Sequence, residues 1–230
     1  MTPREHLDTA RIPGGGELKL YRRGEDHVIL LGRDELMNSR MSGSEEALAV
    51  MAAERLKGRT RQSWLIGGYG MGFTLRAALR VLGADARVEV VELVPEILDW
   101  ARGPMAGLTA GCLEDARAAV IVGDVGAAIR EGRGRFDAIL LDVDNGPDGL
   151  VRAANDGLYG AAGLAAARAA LKPGGVAAYW SAGPDRAFTK HLKVCGMAVE
   201  EVTVRARANG KGPRHTIWFA RKPGSRRAGR

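Results

Sequence analysis

Three glycines lie where an apolar segment gives way to a helical pattern, and their spacing suits close contact with a ligand. Gly68, Gly70 and Gly72 form the sequence G-x-G-x-G after the apolar segment at 63–66. Glycine permits sharp turns and a close approach of the backbone to a ligand, and a helix N-terminus attracts negative charge. The dinucleotide fingerprint needs its third glycine one position later, where this chain has Phe73. A tight turn that binds no ligand is therefore the alternative.

Carboxylates follow the next three apolar segments. Glu92 ends the segment at 87–92, where a carboxylate can accept hydrogen bonds from both hydroxyls of a ribose. Asp124 could accept a hydrogen bond from an adenine amino group, cap the next helix, or do both. Asp142 and Asp144 follow the fourth segment and would face the crevice in which parallel α/β sheets bind ligands. For Glu92, and for the turn that contains Asp142 and Asp144, the alternative is that the acids are solvated surface residues.

Strand and helix patterns alternate from residue 63 onward and would bring these positions together. Parallel strands joined by helices place their carboxyl ends along one edge of a sheet, with helices on both faces. Two final strands at 197–207 and 215–221 would add one antiparallel strand. The predicted fold is a doubly wound, Rossmann-like α/β sheet of seven strands. The first five strands are predicted at 63–66, 87–92, 118–122, 136–143 and 175–181, and the helices at 70–82, 95–102, 125–130, 160–171 and 185–194.

An N-terminal segment precedes this alternating region. Apolar segments at 17–23 and 27–31 flank turn residues and predict a β-hairpin. The Ser42-Gly43-Ser44 stretch with its following acids predicts a helix start, and the helix runs to about residue 57. We therefore divide the chain into a hairpin and helix at 1–58, a nucleoside-binding domain at 59–222 and a basic, disordered tail at 223–230.

Composition excludes several classes of protein. The chain has 230 residues, of which 46% are hydrophobic and 27% charged, as in soluble globular proteins. No apolar run reaches the ~20 residues of a membrane span, and the first ten residues lack the apolar core of a secretory signal. The 2 cysteines give no disulfide framework, and the 4 scattered histidines give no zinc spacing. We expect a cytoplasmic protein with no metal site.

The positive charge is concentrated at the C-terminus. The formal net charge is +7, and residues 201–230 hold nine basic residues and one acidic residue. A solubilising tail is the simplest interpretation, and contact with nucleic acid is the alternative. No aromatic residues lie between the arginines to stack on bases, so nucleic-acid binding is disfavoured but left open.

Together these residues resemble the class I S-adenosylmethionine-dependent methyltransferase fold and, more narrowly, the spermidine synthase family. The resemblance extends over about residues 17–222 and includes a small N-terminal β domain. The matching stretches are Ile66-Gly67-Gly68, Thr74-Leu75-Arg76, residues 91–96, Gly123-Asp124, residues 136–142 and residues 171–175.

The resemblance implies roles for individual residues. Glu92 would bind the ribose of S-adenosylmethionine or of its decarboxylated form, and Asp124 would bind the adenine amine. Asp142 matches an aspartate that helps to deprotonate the attacking amine, and Asp144 could replace a second one. For Tyr69, core packing is the alternative to covering the cofactor. The expected cofactor contacts are Gly68, Tyr69, Gly70, Gly72, Glu92, Leu93, Asp124, Val125 and Asp142, and the expected catalytic residues are Asp142 and Asp144.

The part of the site that would hold a polyamine departs from the family pattern. The family's glycine loop carries an aspartate for the aminopropyl amine, whereas residues 68–72 here contain no acid. Residues 43–46, Gly-Ser-Glu-Glu, replace its Tyr-His-Glu motif, and Trp180 replaces a glutamine. Arg40 could meet the carboxylate of the full cofactor, with an ordinary connecting loop as the alternative.

Three functions remain open at this stage. The main hypothesis is methyl transfer from S-adenosylmethionine to a small-molecule acceptor, because a loop without an acid suits the carboxylate of the full cofactor. The alternative is aminopropyl transfer from decarboxylated S-adenosylmethionine to a polyamine. The third is a non-catalytic nucleoside- or RNA-binding protein that uses the basic tail. By analogy with the family, a homodimer is an option; no membrane partner is expected.

Overall fold

The computed structural model describes residues 3–143 and 157–224, and its first element is a four-stranded antiparallel sheet of order β1-β2-β3-β4. Its strands are β1 (Glu5–Arg11), β2 (Glu17–Arg23), β3 (Asp26–Leu31) and β4 (Asp34–Asn38). The predicted hairpin corresponds to β2 and β3 and therefore misses the two outer strands of this sheet. Only β2 and β3 have a clear apolar pattern, whereas the outer strands are mostly polar, as is common at sheet edges.

A second sheet carries the carboxyl ends that the sequence singled out. Its strands are β5 (Ser63–Gly67), β6 (Arg87–Glu92), β7 (Ala118–Val122), β8 (Phe136–Leu141), β9 (Leu171–Ser181), β10 (Ala198–Arg205) and β11 (Arg214–Arg221). The order is β10-β11-β9-β8-β5-β6-β7. Strands β5 to β9 are parallel, and β11 runs antiparallel to both of its neighbours. The predicted seven-stranded, doubly wound sheet is confirmed.

Helices cover both faces of this sheet. They are α1 (Gly43–Arg55), α2 (Phe73–Val81), α3 (Pro95–Arg102), α4 (Ala106–Thr109), α5 (Val125–Glu131), α6 (Ala161–Ala170) and α7 (Arg186–Val194). Alternate residues of β8 enter two different apolar clusters: Leu140 joins the cluster of α1, α2 and α3, and Ile139 joins that of α5, α6 and α7. This alternation explains why the strand is apolar throughout.

The N-terminal sheet packs on the same side as α1 to α3. Leu20 and Ile29 are fully buried and share an apolar cluster with Ile97 of α3. This contact covers the carboxyl edge of the larger sheet with a second layer. Within the two described ranges, no helix is long and apolar enough to cross a membrane.

Candidate functional site

A cavity of about 200 Å³ lies between the N-terminal sheet and the carboxyl ends of the parallel strands. Parallel α/β sheets bind ligands at this edge. One wall is apolar and is formed largely by the N-terminal sheet through Leu18, Ile29, Leu31, Leu36 and Met37. The remaining walls combine apolar side chains such as Trp180 with four carboxylates, those of Glu45, Glu92, Asp124 and Asp142.

The glycine loop after β5 forms the floor of this cavity. Gly68, Gly70 and Gly72 have φ of +82°, +54° and +77°, which other residues rarely adopt. A Cβ on Gly68 would also lie 2.9 Å from the carbonyl oxygen of Asp142. Because these residues turn the chain, α2 begins at Phe73 and not at residue 70 as predicted.

Tyr69 and Gly72 do not line the cavity, contrary to the expected cofactor contacts. The Tyr69 side chain is 4% exposed and packs in the core, with its hydroxyl 3.5 Å from the Cys112 sulfur. Burial raises the pKa of Tyr69, and the hydrogen bond to Cys112 adds to the effect. Gly72 leaves room for this ring, since a Cβ there would lie 2.6 Å from the Tyr69 hydroxyl. Core packing is therefore the correct interpretation of Tyr69.

Glu92 is buried at the end of β6 and is held by backbone N–H groups, which include those of Gly70 and Leu93. Tyr69 donates to its Oε2 at 2.7 Å and Val94 to its Oε1 at 2.9 Å. Burial raises the pKa of this carboxyl, and the backbone hydrogen bonds oppose that effect. The backbone around the glycine loop thus fixes the orientation of this carboxyl, and Leu93 lines the cavity beside it.

Asp124 caps the next helix, lines the cavity and is ion-paired with Arg130 at 3.3 Å. Its carboxylate caps α5 by accepting from the N–H groups of Gly126 at 2.8 Å and Ala127 at 3.1 Å. Asp124 and Val125 also line the cavity. The cap fixes the carboxylate at the entrance of the helix and leaves acceptor capacity for a ligand.

Asp142 lies directly after β8, inside the cavity. Among the described residues, its carboxylate accepts a hydrogen bond only from the Thr74 hydroxyl, which lies 2.9 Å from Oδ2. Burial raises the pKa of Asp142 to about 6, and the Thr74 hydrogen bond opposes the shift. The predicted second carboxylate, Asp144, lies outside the described residues.

A carboxylate that sequence reasoning missed stands near Asp142. Glu45 in the first turn of α1 is 8% exposed and lines the same cavity. Burial and the charge of Asp142 raise the pKa of Glu45 well above its ordinary value. In the sequence, Glu45 is one of two acids at a predicted helix start. The available signal for a functional role was its position within residues 43–46, which replace the Tyr-His-Glu motif of the family.

The start of α1 is fixed against the loop that follows β10. Gly43 N–H donates to the Ala206 carbonyl at 2.8 Å. A Cβ on Gly43 would overlap the Arg207 backbone and lie 2.5 Å from the Ala208 nitrogen. Glycine at this position therefore allows the close approach that sets Glu45 in the cavity.

Arg40 does not reach the cavity. It is half-exposed, and its Nε lies 3.6 Å from the Asp26 carboxylate. Among the cavity-lining residues that the structure describes, four carry a carboxylate and none is Lys, Arg or His. The site is therefore acidic, although burial raises the pKa of Glu45, Glu92 and Asp142, and Arg130 pairs with Asp124 at 3.3 Å.

No family model matches the chain. A Streptomyces coelicolor protein named polyamine aminopropyltransferase 1 is 40% identical over 86 residues, which is 36% of this chain and 16% of that protein. The match therefore spans about a sixth of the length of this relative.

Solved spermidine synthases have the same fold. The Thermotoga maritima enzyme superposes with a TM-score of 0.74 at 18% identity, covering 94% of this chain and 72% of that one. A spermidine synthase in complex with the transition-state analogue AdoDATO gives the same values. A probable spermidine synthase from Corynebacterium glutamicum gives 0.63 at 14% identity, covering 94% and 79%. The predicted resemblance is confirmed at the level of the fold: this chain has the fold of these solved spermidine synthases.

Proposed function

We propose that this chain is a transferase that moves an aminopropyl group from decarboxylated S-adenosylmethionine to an acceptor amine of the polyamine class. The observation that carries the proposal is the cavity with four carboxylates and no cationic side chain among its described residues. Both reactants are cations, and a cleft lined by one sign of charge concentrates ligands of the opposite sign. The name of the Streptomyces relative supports the same reaction.

The same charge distribution favours the decarboxylated cofactor over the full one. The full cofactor carries a carboxylate, which would meet like charges in this cavity. Arg40, the sequence candidate for pairing with that carboxylate, is paired with Asp26 instead. The absence of an acid in residues 68–72 favoured methyl transfer; the four carboxylates around the loop outweigh that argument.

Seven of the cavity residues are given roles in this reaction. We assign Glu92 to the ribose hydroxyls, Asp124 to the adenine amine, and Leu93, Val125, Gly68 and Gly70 to contacts along the nucleoside. These residues orient the sulfonium-bound carbon toward the acceptor. The amine lone pair forms a C–N bond to that carbon while the C–S bond breaks, and its electron pair stays on sulfur. Asp142 then accepts the proton that the new ammonium group releases.

Separate calorimetric titrations with the full and decarboxylated cofactors test the proposal, followed by product analysis with a linear diamine. We expect tighter binding of the decarboxylated form and release of 5′-methylthioadenosine. Tighter binding of the full cofactor with release of S-adenosylhomocysteine would overturn aminopropyl transfer in favour of methyl transfer. Nucleoside binding without turnover of any amine would favour the non-catalytic alternative.

A further inference from the structure

A buried array of side chains leads away from the cavity toward β11. The Ser44 hydroxyl lies 3.2 Å from Glu45 Oε2 and 2.9 Å from His215 Nδ1. Ser44 is fully buried, and His215 is 8% exposed. The His215 ring meets the Trp180 ring edge-on, with centroids 4.8 Å apart. The array therefore joins a cavity carboxylate to a buried imidazole, and the assigned roles of the site do not use it.

Few charged groups face this array. Glu45 faces Asp142 at the end of β8, and Glu46 is its acidic neighbour on α1. Glu46 is paired with Arg76 of α2 at 3.0 Å. For His215, burial alone accounts for the direction of its pKa. Proton positions in the array are thus governed by the Asp142–Glu45 pair.

A serine hydroxyl has one proton and can donate to only one partner at a time. When Ser44 donates to Glu45, the carboxylate is ionised and His215 Nδ1 carries a proton that it donates to Ser44. When Ser44 donates to His215 Nδ1, Glu45 carries the proton and donates it to Ser44. Moving from the second arrangement to the first transfers one proton from Glu45 to His215 without moving a heavy atom.

We propose that Glu45, Ser44 and His215 form a proton relay that keeps a single negative charge on the Asp142–Glu45 pair while the acceptor amine loses its proton. This inference rests on the proposed function. When the new ammonium group gives its proton to Asp142, the repulsion that held the proton on Glu45 is removed. Glu45 then passes its proton to the Ser44 oxygen, and the hydroxyl proton of Ser44 passes to His215 Nδ1. After the product has left, Asp142 releases its proton to solvent, and the reverse transfer from His215 to Glu45 resets the array.

The directions of the two pKa shifts suit this exchange. Burial and Asp142 raise the pKa of Glu45, while burial lowers the pKa of His215. The ordinary values of the two groups differ by about two units, so these shifts bring their proton affinities together. Transfer between groups of similar proton affinity needs little driving force in either direction.

Kinetics of two variants and a matched control test the relay. Ser44→Ala breaks the array, and His215→Asn keeps a hydrogen-bonding amide near Nδ1 that cannot accept a proton. We expect kcat for aminopropyl transfer to fall about 10- to 100-fold in both, with little change in KM for the amine. Ser42→Ala is the control, because the Ser42 side chain caps no backbone group of α1; we expect its kcat to stay within about twofold of wild type.

Histidine ¹⁵N NMR supplies a readout that needs no turnover. We expect Glu45→Gln to move the His215 ring signals and to leave those of His27, which is equally buried but lies outside the array. Unmoved His215 signals, or a His215→Asn enzyme with wild-type kcat, would overturn the relay while the proposed function stands. A wild-type protein that transfers no aminopropyl group would overturn the proposed function instead, and the relay with it.

Discussion

Two aspartates at opposite ends of β8 have opposite environments. Asp137, near the start of the strand, accepts hydrogen bonds from Arg59 at 2.7 Å, Lys172 at 2.6 Å and the Ser63 N–H at 2.9 Å. Burial opposes its ionisation, yet these partners hold its pKa below the ordinary value. Asp142 is only partly buried, and among the described residues its carboxylate receives only the Thr74 hydroxyl and faces Glu45.

The difference separates a structural carboxylate from a reactive one. The charge of Asp137 is compensated on both oxygens, so it joins β8 to the segments around it and has nothing left to offer a ligand. The charge of Asp142 lacks a cationic partner among the described residues, and an incoming ammonium group would supply one. One strand therefore has an ion-paired carboxylate at one end and a carboxylate without a cationic partner among the described residues at the other.

Replacement of Asp142 should produce the largest effect. For Asp142→Asn we expect kcat to fall about 10²- to 10⁴-fold, the range for loss of a positioned proton acceptor. The unfolding free energy should be unchanged or higher, because a carboxylate that is costly to bury is replaced by a neutral amide. Steady-state kinetics and urea unfolding measure both quantities. Wild-type kcat in this variant would contradict the assigned role.

Replacement of Asp137 should reverse that pattern. For Asp137→Asn we expect a loss of about 2–3 kcal/mol in unfolding free energy, since charge-assisted hydrogen bonds from Arg59 and Lys172 are weakened. The kcat of the folded fraction should remain near that of wild type. An unfolding curve that overlays the wild-type curve would show that the anchor contributes nothing measurable.

Glu92 tests a third type of buried carboxylate, held by backbone N–H groups. For Glu92→Gln we expect the affinity for decarboxylated S-adenosylmethionine to fall about 10- to 100-fold, because hydrogen bonds to a charged acceptor are lost. Glu89→Gln on the same strand is the control, since Glu89 pairs with Arg135 away from the cavity. Titration calorimetry compares the two; equal losses would remove Glu92 from the nucleoside site.

The smallest expected effect is in the pH dependence of the unfolding free energy, to which Asp142 and Asp137 should contribute with opposite signs. The unfolded chain releases the Asp142 proton near pH 4, whereas the folded chain keeps it until about 6. Stability therefore falls by about 1 kcal/mol per pH unit as pH rises through this window, and levels off above it. The Asp137 contribution is complete above about pH 4 and is lost as pH falls. Urea unfolding at several pH values, with Asp142→Asn for comparison, tests both signs.

Local patterns were enough to predict the strand ends but not the contacts between distant segments. Glu92, Asp124 and Asp142 were found because the ends of parallel strands meet at one edge, whatever the details of packing. The array at Glu45 was missed because Ser44 and His215 are 171 residues apart in sequence. They meet only when α1 packs across the sheet. Tyr69 shows another limit, since the glycine spacing of a loop does not reveal on which side the large side chains between the glycines lie.

The close packing at Gly43 limits which substitutions variants of this protein can carry at that position. It contributes no chemical group, yet any side chain there would collide with backbone near Arg207 and push away the helix start that carries Ser44 and Glu45. Tolerance to substitution at position 43 should therefore be as low as at a residue that handles the substrate. A comparison of variant sequences would show that position 43 tolerates little change. It would not show the reason, which is that a side chain does not fit there.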